Sequence, residues 1–196
     1  MLKHEDWTDR FGITWEMGMK GVSPFPKINP LADIEKQLDG YKFPDPNGLV
    51  MNPDALSHLK TIDRDKFLVR GYIYYFCFER AWALMGMDNF LTAIIEFPDK
   101  VRYILHEIAK YVRVAFDRYL EMGVDAVGFS EDLGTQKALM MSPAHLISSF
   151  SASIVHLPSL TVLYGKSRPK SAISSLLNSR PFVAALPNMS ISPANR

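Results

Sequence analysis

From Lys66 to Gln136 the sequence commits to an order of elements that few folds accommodate: an apolar strand, helices, then a second apolar strand that runs into a polar loop. Lys66 to Phe78, KFLVRGYIYYFCF, is almost continuously apolar and aromatic, as suits a strand buried on both faces, and it ends at the charged pair Glu79–Arg80. Ala81 to Met87 and Asn89 to Phe97 read as helical pieces, with Asp88 or Asn89 able to cap the second. Pro98 then stands near the start of a long helix over about 99–122. Its apolar stripe is Val101, Ile104, Leu105, Ile108, Val112, Ala115, Phe116, Tyr119 and Leu120, at spacings of three and four. Gly123 ends that helix. The next run, Val124 to Phe129, is interrupted only by Asp125 and Gly128, and it gives way at once to Glu131, Asp132, Gly134, Thr135 and Gln136. Two parallel strands need such a crossover, so the order predicts a βαβ unit and an α/β fold. Ligands in sheets and barrels of this class are held by loops at the carboxyl ends of strands.

The flanks are less regular. Residues 5–17, EDWTDRFGITWEM, alternate Trp7, Phe11, Ile13 and Trp15 with polar positions apart from Gly12, which predicts a short strand or hairpin edge. Gly18, Gly21, Pro24, Pro26 and Pro30 predict a loop, and Leu31 to Leu38 one or two helical turns. Pro44 and Pro46 hold Tyr41 to Gly48 extended. Asn52-Pro53-Asp54 opens a short helix through Leu59, capped by Asn52, and Ser142-Pro143 starts the helix after the polar loop.

The net charge of +1 hides an asymmetry. All 21 acidic residues lie in 1–132, where 16 Lys/Arg leave a charge of −5, whereas 133–196 holds six Lys/Arg and no acid. Six cations over so long a stretch are sparse, the aromatics among them are few, and no nucleic-acid partner is expected. The single cysteine, Cys77, excludes an internal disulfide framework, and histidines 4, 58, 106, 145 and 156 show no metal-ligand spacing. No apolar run approaches the roughly 18 residues that span a bilayer, so a soluble, cytoplasmic protein with no membrane partner is expected.

Four segments together, DWTDRFGITWE, PLADIEKQLDGYKFPDP, FERAWALMGMDNFL and GVDAVGFSEDLGTQKALMMSP, resemble the uroporphyrinogen decarboxylase family, which includes corrinoid-linked methyltransferase relatives. The resemblance covers about residues 5–145, and EDLGTQ followed by MSP is its most specific part. It implies a (β/α)8 barrel with a substrate cleft at the carboxyl ends of the strands, and a homodimer in the family's longer members. Those members place a strand before Met1 and several units after Pro143. This chain is therefore expected to be a partial barrel over 1–145, with a Ser- and Pro-rich, poorly ordered tail over 146–196 that arises from a change of frame or a broken gene. The resemblance implies decarboxylation of a small-molecule tetrapyrrole substrate without a cofactor: the pyrrole is protonated to a cationic electron sink, a carboxylate steadies the charge as carbon dioxide leaves, and arginines hold the substrate's acids. The methyltransferase relatives need zinc held by histidine and cysteines from a carboxyl half, which Cys77 alone does not supply.

Asp132 and Glu131 are the leading catalytic candidates by position, against the alternative that they cap a helix or bind loop amides. Thr135 and Gln136 are candidate substrate-binding residues that could instead fix the loop. Glu79 and Arg80 could face the cleft or form a rim ion pair. By resemblance, Asp6 and Asp9 lie near the decarboxylases' essential aspartate, with Asp9 the catalytic choice, and Trp82 stands near their conserved tyrosine. The family's arginine-rich amino-terminal motif is absent. His106 reads as helix surface.

Overall fold

The computed structural model describes residues 6–17, 24–49, 53–154 and 182–185. The chain is mixed α/β and divides into two units. The proposed Asn52 cap, and the tail apart from 146–154 and 182–185, lie outside the described residues.

The first unit comprises residues 1–44, 77–109 and 131–154. Its sheet is antiparallel: β1 (Trp7–Thr8) pairs with β2 (Thr14–Glu16), and β2 with β3 (Phe25–Ile28). The hairpin was legible from alternating apolar residues, but β3 falls where prolines and glycines predict only a loop. Pro26 is tolerated there because β3 is an edge strand, where a missing N–H breaks no ladder. Helix α1 (Ile34–Gln37) and a 3-10 turn, Leu38–Gly40, follow where one or two helical turns are expected. Asp33 caps α1 by accepting from the Lys36 amide.

Asp9 holds this region together. Its Oδ1 accepts from the amides of Phe11 at 2.9 Å and Ile13 at 3.1 Å, closing the turn between β1 and β2. Its Oδ2 accepts from Trp15 Nε1 at 3.0 Å and from Arg80 at 2.7 Å. The guanidinium of Arg80 also lies 4.8 Å from the centre of the Phe11 ring. This pair is well buried, with side chains 15% and 8% exposed.

The second unit comprises residues 45–76, 110–130 and 155–196. It contains α2 (Pro53–Thr61) and a three-stranded parallel sheet in which β4 (Leu68–Ile73) lies between β5 (Ala126–Phe129) and β6 (Phe182–Ala185). The strand expected over 66–78 is therefore shorter. The chain bends after Ile73, with Tyr75 at φ 52°, and helix α3 begins at Phe78, so Glu79 and Arg80 sit in a helix's first turn instead of at a strand end. Strand β6 is a second departure, since no strand was expected beyond Phe129. Among the described residues this sheet is open, not a closed barrel.

Between the flanking strands runs α5 (Pro98–Glu121), with the expected stripe buried from Val101 to Tyr119. Its residues up to Ala109 belong to the first unit and the rest to the second. Gly123, at φ 72°, ends it as expected. In the second unit Gly71 leaves room for the Tyr119 ring: a Cβ there would fall 2.4 Å from Tyr119 Cδ1. The phenol reaches past to donate to the carbonyl of Tyr72 at 2.9 Å. Asp125 interrupts an apolar strand because its carboxylate accepts from Val69 N at 2.9 Å and pairs with Arg64 at 3.1 Å, which satisfies a buried charge.

Gly71→Ala is expected to lower stability by about 1–3 kcal/mol, because an overpacked site must move a ring. Tyr119→Phe, which removes only the hydroxyl, is expected to cost about 1 kcal/mol. Urea unfolding of the three proteins checks the order.

Candidate active site

In the first unit, α3 (Phe78–Met85) and α4 (Met87–Glu96) meet at Gly86, whose φ of 84° lets two helices abut with no intervening loop. Gly86 stands at the N-cap of α4, and neither Asp88 nor Asn89 caps it. Asn89 instead donates to the Met85 carbonyl at 3.0 Å. The carbonyls in the last turn of α3 are met from the β3 side, by Asn29 Nδ2 on Ala83 at 2.8 Å and Leu31 N on Leu84 at 2.9 Å. These bonds bring β3, α3 and the start of α4 around a common space.

That space is a cleft of about 370 Å³. From α3 it takes Glu79 and Trp82, three apart so that they share a helix face, and Gly86 follows where α3 ends. Phe25, Pro26 and Asn29 form the β3 wall and Met87 opens α4. Asp132 and Met140 come from the polar loop. Phe25 and Trp82 pack against each other, their rings tilted by 44° with centres 5.9 Å apart. Four of the nine lining residues are aromatic or thioether, and the charged ones among the described residues are the acids Glu79 and Asp132.

Asp132 reaches the cleft because its neighbour Glu131 does not. The Glu131 carboxylate accepts from the first amides of α3: Oε1 from Cys77 N and from Phe78 N at 2.7 Å, and Oε2 from Glu79 N at 3.0 Å. These are the donors that a helix start leaves without intrahelical partners, and Cys77 at the N-cap offers no side-chain cap of its own. The loop's other end is closed by Thr135. Its N–H donates to the Ala138 carbonyl at 2.7 Å, its hydroxyl accepts from the amides of Lys137 and Ala138, and Gly134 bridges Leu139. Glu131 and Thr135 thus shape the loop, Gln136 is exposed at its tip, and Asp132 is left facing the cleft.

The candidates therefore separate into three groups. Asp132 and Glu79 line one cleft; Asp9 and Arg80 bind each other beneath the hairpin and line no part of it; Glu131, Thr135 and Gln136 belong to the loop frame. The aromatic and thioether wall was not singled out from sequence. The i, i+3 spacing of Glu79 and Trp82 could have given part of it, had α3 been started at Phe78. Among the described residues, no three His, Cys, Asp or Glu side chains are grouped so as to hold a metal. Cys77 is buried, and burial together with the Glu131 charge pushes its thiol pKa up, away from the thiolate a metal requires. No helix among the described residues is long and apolar enough to cross a membrane.

Comparison with protein-family profiles, curated proteins and solved structures finds no match to this chain.

Burial pushes the Glu131 carboxyl from 4.5 up to about 7, against the three amides, which favour its charged form. Between those values the folded chain holds a proton that the unfolded chain has released. This contribution to stability is full below 4.5 and is lost as pH rises through about 7. Glu131→Gln is expected to flatten that dependence, measured as the change in urea midpoint across the interval. Asp9→Ala leaves the buried Arg80 charge without its carboxylate, and a loss of about 3–5 kcal/mol is expected by the same measurement.

Proposed function

We propose that this chain is a uroporphyrinogen decarboxylase-like protein, part of a (β/α)8 barrel, that removes carbon dioxide from a carboxylated tetrapyrrole or a related ring substrate without a cofactor. One observation carries the reading: two carboxylates, Asp132 and Glu79, line a cleft whose remaining walls are largely apolar. The parallel pairing of β4 with β5 across α5 supports the barrel part of the reading, since such a crossover is the repeating element of that fold.

The chemistry follows from charge. Protonation of a ring carbon makes the ring cationic. The bond to the carboxylate carbon then breaks, its electron pair passes into the ring system and carbon dioxide leaves. A proton fills the vacated carbon and the ring carbon gives up the proton it first took, so that one proton is consumed for each carbon dioxide released. The cation exists only after protonation, so carboxylates beside it stabilise the reacting state more than the neutral ring. Trp82, Phe25, Met87 and Met140 lower the local polarity and so strengthen that effect.

A second, non-catalytic reading has its own observation. Ile95 and Ile147, both on helices, are 67% and 66% exposed, as in a remnant that has lost what covered it. A single cooperative melt of the full chain counts against the remnant.

The full chain is expected to release carbon dioxide from uroporphyrinogen or a simpler carboxylated pyrrole. Asp132→Asn is expected to slow release by roughly 10²-fold, the scale of one lost electrostatic contact to a transition state. Asp132 is exposed, so the variant is expected to fold. No release from any such acid by the folded chain overturns the proposal.

A further inference from the structure

Asparagine is followed by glycine once in the sequence, at Asn47-Gly48. A glycine in that position has no Cβ to hinder its backbone nitrogen, which lets the nitrogen approach the side-chain carbonyl carbon of the asparagine. The pair lies in the second unit, in a 3-10 turn over Pro46–Gly48, and both residues are exposed, so water and base reach them. The same turn restrains them through Asp45. Its Oδ1 accepts from Asn47 N at 2.9 Å and from Asn47 Nδ2 at 3.1 Å, and its carbonyl accepts from Gly48 N at 3.1 Å. The nitrogen that would attack and the amide that would leave are thus both tied to one residue.

We infer that Asn47 is a site of spontaneous covalent modification, deamidation through a cyclic imide, and that Asp45 sets its rate. Gly48 N gives its proton to base and attacks Asn47 Cγ, forming a C–N bond. The Cγ–Nδ2 bond then breaks as Nδ2 takes up a proton, and ammonia leaves a five-membered imide. Water adds to one of the two imide carbonyls and opens the ring to aspartate or isoaspartate. One water is consumed and one ammonia released, with no oxidant or reductant. The first step requires Gly48 N–H to leave the Asp45 carbonyl and lose its proton in a turn that holds the Asp45 carboxylate, whose negative charge disfavours the amide anion. Ring closure also needs the Asn47 side chain to swing onto that nitrogen, and the bond from Nδ2 to Oδ1 resists the swing. The product adds a carboxylate beside Asp45 and takes the formal net charge from +1 to zero. The isoaspartate form also routes the backbone through the former side chain, which lengthens the turn.

The test incubates the full chain in mildly alkaline buffer beside a synthetic peptide of residues 42–51, and follows Asn47 by peptide mapping with mass spectrometry. Ion exchange of the intact chain reads the more acidic product. Asn47 is expected to convert in the folded chain about tenfold more slowly than in the peptide, the scale of one or two hydrogen bonds. Asp45→Ala is expected to recover most of that factor, and Gly48→Ala to slow conversion in chain and peptide alike. Asp45 and Gly48 are exposed, so both variants are expected to fold, which their urea midpoints check. Asn47 left intact in the folded chain after many half-lives of the peptide overturns the site. Conversion as fast in the folded chain as in the peptide, or an unchanged rate in folded Asp45→Ala, overturns the role given to Asp45.

Discussion

The carboxylate of Glu131 is the contact on which the candidate site depends. It accepts from three successive amides at the start of α3, across more than fifty residues of sequence. A helix start buried without such acceptors would leave its N–H groups unsatisfied, at about 1–3 kcal/mol for each buried group. Glu131 meets that need from a distant loop, and in doing so fixes the loop's first residues against the helix. The consequence for Asp132 is geometric: with its neighbour turned to the amides, its own side chain faces the cleft that Glu79 and Trp82 line. Burial raises the Glu131 carboxyl to about 7, so the same clamp changes protonation near neutral pH.

Two further carboxylates repeat the pattern of an acid used as a structural acceptor. Asp9 closes the turn between β1 and β2 while pairing with Arg80, and Asp125 ties its strand to Val69 and Arg64. In each case backbone amides take one or both oxygens, which lets a negative charge sit in a largely apolar setting. Asp132, by contrast, is exposed and lines the cleft.

The parts of the fold that rest on periodicity were legible in the sequence. The α5 stripe from Val101 to Tyr119, the stop at Gly123, the parallel run of β4 and β5, and the hairpin around Phe11 and Ile13 all follow local rules. What escaped is set by distant or irregular contacts. The aromatic run Tyr74 to Phe78 carries strand propensity, yet Tyr75 in the left-handed region and the Glu131 clamp convert its end into a helix start. Strand β3 was hidden by Pro26, which an edge position tolerates, and β6 by a segment with no clean period. For the site, the loop acids were found by their position after a strand, but which of the two faces a ligand depends on where the α3 amides lie.

Amide hydrogen exchange at Cys77, Phe78 and Glu79, compared between the natural chain and Glu131→Ala, tests the clamp most directly. The account predicts slow exchange at these three amides in the natural chain. It predicts faster exchange there in the variant, with the buried amides of α5 near Ile104 and Ile108 unchanged. Equal protection of the three amides in both proteins would contradict the claim that Glu131 holds the loop and the helix start together.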